Sequence, residues 1–354
     1  MKTKSTHPLN ILVVRTDRIG DVVLTTAAVR ALRKNFPQSR ISMMVAPGTR
    51  ELIEGNPDIN DIIIHDRAGK NKGLLGFWRQ VLHLRSKKFD WAIIFHTKRW
   101  TNMFCFLAGI PRRTGYCNEK YGFLLNDRVV DDREAGIKHE AQYCLDILNA
   151  VGVSAPLSQM QCVIPTNQDS DTWAKTWCVQ NHCNLENLIL INPSASDPGR
   201  QWPAERFAQI IELLQAKNIG PIAVIGTQND LAAKKLLSLV SAQKNVQIFD
   251  LRGQTTMSRL IALLRQSRLL ISNDTGPVHI AAALGKPVVS IFTRNEPGIN
   301  PERWRPLGDK VKVVVTPYKG EISFKKAKVI DSSYLDAISV ESVWEAVDAL
   351  LKLC

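Results

Sequence analysis

Residues 269–292 read L-L-I-S-N-D-T-G-P-V-H-I-A-A-A-L-G-K-P-V-V-S-I-F and leave few folds open. A buried strand runs through Asn273, Asp274, Thr275 and Gly276 into a short helix, and another buried strand follows. Continuous apolar strands joined through helices belong to open α/β sheets. In such sheets ligands gather at the carboxyl ends of the strands, where the next helix offers free backbone N–H groups and a partial positive charge to an anion. The polar N-D-T-G junction is therefore where a phosphorylated ligand is expected.

The same alternation extends over the whole chain, as parallel sheets with crossover helices require. The first half predicts strands over 11–14, 41–45, 62–65 and 91–95, with helices over 21–35, 74–86 and 140–151. Pro37 stops the first of these helices. After Pro156 and Pro165 a second series predicts strands over 188–191, 222–225, 246–249 and 288–292, with helices over 204–217, 231–240 and 257–266. A length of 354 residues suits about two domains. They are doubly wound halves joined between 152 and 171, with expected extents of 1–160 and 161–335. Residues 336–354 contain an amphipathic helix whose stripe of Val343, Ala346, Val347, Leu350 and Leu351 suits packing on either half.

Composition narrows the class. With 45% hydrophobic and 22% charged residues the chain is of soluble globular type. The first apolar run, 11–14, stops at Arg15, too short for a signal-peptide core or a membrane span, so a cytoplasmic protein is expected. Seven cysteines without a C-x-x-C pair suggest reduced, mostly buried thiols rather than a disulfide framework or zinc ribbon. A formal charge of +13 implies acidic company: nucleic acid, an anionic membrane face or a phosphorylated substrate. No compact basic run of nucleic-acid type is present. The densest basic clusters, 79–88 and 111–120, both lie in the first half, either as solvated faces or as a surface meeting phosphate or lipid head groups.

Three junctions carry candidate chemistry. The first strand opens into R-T-D-R-I-G-D, from Arg15 through Arg18 to Asp21, with neither a G-x-G-x-x-G nor a G-x-x-x-x-G-K-[ST] signature. That argues against a dehydrogenase or a P-loop enzyme. Asp21 at the helix start serves either as a capping, dipole-favoured carboxylate or as a general base for an acceptor hydroxyl. After the strand at 188–191 comes P-S-A-S-D-P-G-R-Q-W, in which Ser194, Ser196 and Gly199 admit phosphate oxygens to the backbone. Arg200 clamps a diphosphate there, or else stacks on Trp202 in a surface loop. At G-T-Q-N-D, Asp230 either receives a sugar or ribose hydroxyl or caps a helix. His279 is either a core histidine or a functional neighbour of Asp274. The D-x-D triplet at Asp169 and Asp171 is better read as N-capping than as a metal site, and no hydrolytic metal or serine motif occurs.

Two segments together resemble glycosyltransferase family 9, the ADP-heptose:lipopolysaccharide heptosyltransferase family. They are I-L-V-V-R-T-D-R-I-G-D-V-V-L-T-T-A-A-V-R-A-L from Ile11 and S-N-D-T-G-P-V-H-I-A-A-A-L-G-K-P-V-V-S-I-F from Ser272, in the same order and separation. The resemblance implies a GT-B architecture, with two Rossmann-like doubly wound domains facing across a cleft, acceptor mainly on the first and nucleotide-sugar donor mainly on the second. It implies that Asp21 is the catalytic aspartate, that Asp274, Thr275, Gly276 and His279 form the donor-binding D-T-G-x-x-H, and that Arg200 fills the position of a basic donor-site residue. Ser194, Ser196 and Asp230 join the donor side, and Arg15, Arg18, Arg112 and Arg113 are acceptor-side candidates. The implied reaction is transfer of heptose from ADP-heptose to a lipopolysaccharide inner-core acceptor, by inversion, with no metal and no cofactor. Implied partners are the phosphorylated lipid A/core acceptor and the cytoplasmic face of the inner membrane, with peripheral attachment and no nucleic acid. Alternatives are a nucleotide-sugar epimerase of GT-B-like fold and a non-catalytic lipid- or phosphate-binding protein derived from it. Two departures concern the donor side: after Phe292, where many relatives continue G-P-T-x-P, this chain has T-R-N-E-P-G-I-N-P-E-R-W-R-P-L-G, with Arg294, Arg303 and Arg305 close to the expected diphosphate, and the turn after Ile225 is G-T-Q-N-D where relatives often end in Glu.

Overall fold

The computed structural model describes residues 8–96, 98–241, 247–316 and 337–353. The chain divides into two compact units, Met1–Pro165 and Thr166–Cys354.

In the first unit the order is β1 (Asn10–Val14), α1 (Ile19–Asn35), β2 (Arg40–Val45), β3 (Asp61–Ile64), α2 (Gly73–Ser86), β4 (Trp91–Ile94), α3 (Arg99–Leu107), β5 (Arg112–Cys117), β6 (Asp127–Val130) and α4 (Glu140–Asn149). The strands form one parallel sheet in the order β3-β2-β1-β4-β5-β6. Both faces are covered, which is why β1 reads as an unbroken apolar run rather than an alternating one. One face of the sheet, from Leu12, Val14, Met44, Ala92 and Ile94, packs on Phe77, Val81 and Leu84 of α2 and Phe104 of α3. The helix α1 is buried almost all round and packs against α4.

The second unit runs α5 (Gln168–Gln180), β7 (Ile189–Asn192), α6 (Ala204–Ala216), β8 (Ile222–Val224), α7 (Leu231–Val240), β9 (Ile248–Asp250), α8 (Met257–Gln266), β10 (Leu269–Asn273), α9 (Gly276–Ala283), β11 (Val288–Phe292), α10 (Pro301–Trp304), β12 (Val311–Val315) and α11 (Val340–Leu351). Its parallel sheet reads β9-β8-β7-β10-β11-β12. Counted within each unit, both sheets have strand order 3-2-1-4-5-6, the Rossmann order, whose direction reverses between the first and fourth strands. That switch point lies at β1/β4 in one unit and at β7/β10 in the other.

The amphipathic helix expected to pack on either half is α11. Its Val343, Val347 and Leu350 join Ile189, Trp202, Phe207 and Ile271 in the second unit's core. The elements α3, α5, α10, β5, β6 and β12 were not anticipated. The D-x-D aspartates do not cap α5: Asn167 does, accepting from the Ser170 N–H at 2.8 Å, while Asp171 pairs with Arg265. Cys178 and Cys183, expected as free thiols, are joined as a disulfide with Cα atoms 5.0 Å apart. Val246, Cys354 and the expected boundary at 335/336 lie outside the described residues.

Candidate functional site

At the first switch point β1 delivers Arg15 directly from its apolar run into the interior, where the residue is only 2% exposed. A guanidinium in such a place needs carboxylates, because burying an unpaired charge is prohibitive. It finds three. Its Nε donates to Asp17 at 2.9 Å, and its Nη2 donates to Asp21 and, at 3.0 Å, to Glu140. Asp21 stands in the first turn of α1, Glu140 opens α4, and the packing of α1 on α4 brings them to one cation. His96, just past β4, completes the group, with Nδ1 3.2 Å from Thr16 Oγ1 and Nε2 3.8 Å from Asp17.

Three acids share the Arg15 guanidinium, and a second, partly buried cation, Arg133, acts on Glu140 from nearby. Burial raises the Asp21 carboxyl above its ordinary value; Arg15 opposes that rise, and Asp17 and Glu140 add to it. Asp17 is likewise raised, first by burial. Burial and the nearby Arg15 push His96 down to about 3, so it is neutral at physiological pH. The arrangement keeps a carboxylate more basic than usual at the carboxyl end of the sheet, which is what proton removal from a hydroxyl requires. Asp21 does not act as a helix cap, for α1 begins without a side-chain capping bond.

The acceptor-side candidates separate. Arg15 is committed to the carboxylates, and Arg18 is exposed at the start of α1. Arg112 and Arg113 begin β5 and so stand at the amino ends of the strands, away from Asp21. There Arg112 pairs with Asp127 at 2.6 Å and lies over the Trp91 ring, while Arg113 binds the Leu124 carbonyl at 2.8 Å. Both have local structural work. A cavity of about 370 Å³ beside the edge strand β3, lined by Arg50, Glu54, Asn60 and Asp61, contains none of the anticipated residues.

The second switch point is knitted by side-chain amides. Asn192, ending β7, donates to Ser272 Oγ at 3.0 Å and Thr275 Oγ1 at 2.9 Å. Asn273, ending β10, donates to the Pro193 carbonyl at 2.6 Å and accepts from the Trp202 N–H at 2.9 Å. These bonds fix the loop that follows β7 against the start of α9. Arg200 Nη2 reaches the Asp274 carboxylate and backbone carbonyl, leaving Nε and Nη1 without a hydrogen bond among the described residues. The stacking alternative does not hold: Trp202 is buried, edge-on to Phe207, and donates its indole N–H to the Ile338 carbonyl at 2.9 Å.

Thr275 precedes α9 in extended conformation with no side-chain cap; Pro277 has no N–H and the Val278 N–H donates to the Thr275 carbonyl at 3.2 Å, so of the first three helical residues Gly276 alone offers a backbone N–H without an acceptor among the described residues. Gly276 is the first helical residue, and His279 is buried one turn further in. Ser194 Oγ is buried with no hydrogen-bond partner among the described residues, whereas Ser196 is exposed. Asp230 caps α7, accepting from the Ala233 N–H at 3.1 Å. Arg294 folds over the same loop, pairing with Asp197 and Glu296 at 3.1 Å each. A dent of only about 10 Å³ lies between Arg200, Asp274, Thr293 and Arg294.

Asp17, His96, Glu140 and Asn192 are not among the residues that the sequence singles out, whereas Asn273 belongs to the N-D-T-G junction. The one signal that pointed to the acids is Arg15 itself, a cation placed straight after a buried strand.

Two Rossmann-like domains, each with its polar residues gathered at its own switch point, place the protein among α/β proteins of the GT-B type. The chain belongs to glycosyltransferase family 9 (heptosyltransferase), whose family model matches residues 77–333. It is 26% identical over 349 residues to lipopolysaccharide heptosyltransferase 2 of Escherichia coli K12, covering 97% of this chain and 99% of that one. The fold matches the crystal structure of a family 9 glycosyl transferase from Veillonella parvula with a TM-score of 0.86 at 24% identity, covering 98% of each chain. It matches E. coli ADP-heptose LPS heptosyltransferase II with a TM-score of 0.78 at 23% identity, covering 98% of this chain and 99% of that one. Among the described residues, no helix is long and apolar enough to cross a membrane, and no group of three or more side chains is arranged to hold a metal.

Proposed function

We propose that the protein transfers heptose from ADP-heptose to a phosphorylated lipid A/core acceptor of lipopolysaccharide, with inversion and without a metal. The observation that carries this reading is Asp21, a buried carboxylate made more basic by its surroundings at the first unit's switch point. In the proposed step the acceptor hydroxyl attacks the anomeric carbon opposite the diphosphate, and Asp21 takes the proton. The bond from the anomeric carbon to phosphate oxygen breaks, and ADP leaves carrying the electron pair. Its developing charge falls on the spare N–H groups of Arg200, the Gly276 N–H at the start of α9 and Ser194 Oγ. These donors take the part a divalent cation plays elsewhere. Relatives acting on lipopolysaccharide support the acceptor class, and a cytoplasmic, peripherally attached enzyme fits a lipid substrate. Family membership favours transfer over the epimerase and non-catalytic alternatives.

Calorimetric titration with ADP, UDP and GDP, with and without magnesium, tests the donor half. ADP is expected to bind best and equally well in both conditions, with affinity falling about 10- to 100-fold in Arg200→Ala. Preference for UDP, or binding that appears only with magnesium, would overturn the donor assignment.

A further inference from the structure

Ten of the fourteen large apolar side chains exposed among the described residues belong to the first unit, and the most concentrated group lies on α2. That helix has two apolar faces. Phe77, Val81 and Leu84 face the core, while Leu74, Leu75, Trp78 and Leu82 are 75%, 85%, 50% and 61% exposed. At about 100° per residue these four occupy one continuous arc of about 100° on the outer side. Trp100, 43% exposed in the first turn of α3, extends the patch, because Phe77 packs edge-on against both Trp78 and Trp100. Scattered exposed leucines are ordinary; a contiguous apolar face with two tryptophans marks a surface that is covered in use.

The charge around the patch identifies what covers it. Between Asp66 and Asp90 there are seven Lys and Arg residues, and those two aspartates are the only acids. Lys70, Lys72, Arg79, Arg85, Lys87 and Lys88 are all exposed. Tryptophan and leucine at the centre with lysine and arginine at the rim match the layers of a bilayer interface whose head groups are anionic. Position agrees as well: α2 and α3 each begin beyond the carboxyl end of the preceding strand, β3 or β4, the same end of the sheet that carries Asp21.

We infer that the exposed face of α2, with Trp100, is a membrane-docking surface that lies in the interface of an anionic bilayer and brings the acceptor side of the first unit to its lipid substrate. The inference extends the lipid-acceptor reading above.

Sedimentation with phosphatidylcholine vesicles, and with vesicles containing phosphatidylglycerol, tests it on the full chain. The protein is expected to bind the anionic vesicles and not the neutral ones, and to dissociate at high salt. Leu75→Ser/Trp78→Ser should lower the partition coefficient by at least about tenfold, with circular dichroism and ADP affinity unchanged. Leu231→Ser, at an isolated exposed leucine of the second unit, should not change it. Absence of anionic-vesicle binding, or equal binding by the double variant, would overturn the docking surface. So would a concentration-dependent dimer of the wild type that the double variant abolishes, since a second copy would then cover the patch. Transfer to a soluble, deacylated acceptor separates the two proposals. If it persists without vesicle binding, docking alone fails; if vesicle binding persists without transfer, the enzymatic reading alone fails.

Discussion

Replacing Asp21 by Asn should make the first unit more stable while disabling the enzyme. The substitution preserves shape and removes one of three carboxylates that share Arg15. Losing one partner of a buried pair normally leaves a stranded charge, at a cost of about 3–5 kcal/mol. Here Arg15 keeps Asp17 and Glu140, and the burial cost of the Asp21 charge and its repulsion by those two acids are removed, which together outweigh the lost pair. A net gain on the order of 1 kcal/mol is expected at neutral pH. For a unit spanning Met1–Pro165, that raises the melting temperature by about 2–4 °C.

The sign of its pH dependence follows from the raised Asp21 value. A carboxyl held above its unfolded value stabilises the fold fully at pH below that unfolded value and loses the contribution as pH rises through the folded value. The advantage of Asp21→Asn should therefore be small in acid, grow through that interval and level off above it. Removal of the base should lower kcat about 10²- to 10⁴-fold, equivalent to about 3–5 kcal/mol on the barrier, with ADP affinity unchanged. Thermal melts across pH, paired with a transfer assay, read both effects. A variant that melts lower than wild type at pH 7 would refute the charge balance, and one that keeps its turnover would refute the base.

Arg15→Lys leaves a single ammonium facing three acids and cannot reproduce the guanidinium fork. The acid limb of the kcat/KM profile should move to higher pH, because Arg15 is the group that holds the Asp21 carboxyl down, while the donor KM stays unchanged. An unmoved limb would show that Arg15 does not position or tune the base. Asp230→Ser retains a side-chain oxygen able to cap α7 and removes the carboxylate. If capping is the whole role of Asp230, ADP affinity and melting temperature stay within error; a tenfold loss of affinity would restore it as a hydroxyl-binding residue.

What could be read from residues alone followed burial. Strands covered on both faces, such as β1, β10 and β11, announce themselves as apolar runs, and the helices α6, α7 and α8 as stripes. The strand β5, R-R-T-G-Y-C, was missed because its two arginines satisfy Asp127 and nearby carbonyls, and β6 because half of it faces solvent. The helix α5 is largely polar, with only Ser170, Ala174 and Cys178 buried. In contrast β12, V-K-V-V-V, carries a plain strand signal in its β-branched run. At the sites, local rules placed Asp21 and N-D-T-G at strand ends, where loop chemistry is sequential. Glu140 lies 119 residues beyond Asp21 and meets the same guanidinium only because α1 packs on α4, a relation no local spacing encodes.

The indole of Trp202 gives the second unit an order of assembly. The loop that bears Arg200 is held by a bond to the Ile338 carbonyl, which also accepts from Arg206, and by the packing of α11 into the core beneath it. A ribosome-bound chain that has emitted every strand of the second sheet still lacks that anchor. Nucleotide affinity should therefore arrive with α11 rather than with the Rossmann sheet, and proteolysis just before Ile338 would remove the foundation of the loop while leaving Arg200 and the N-D-T-G junction covalently intact.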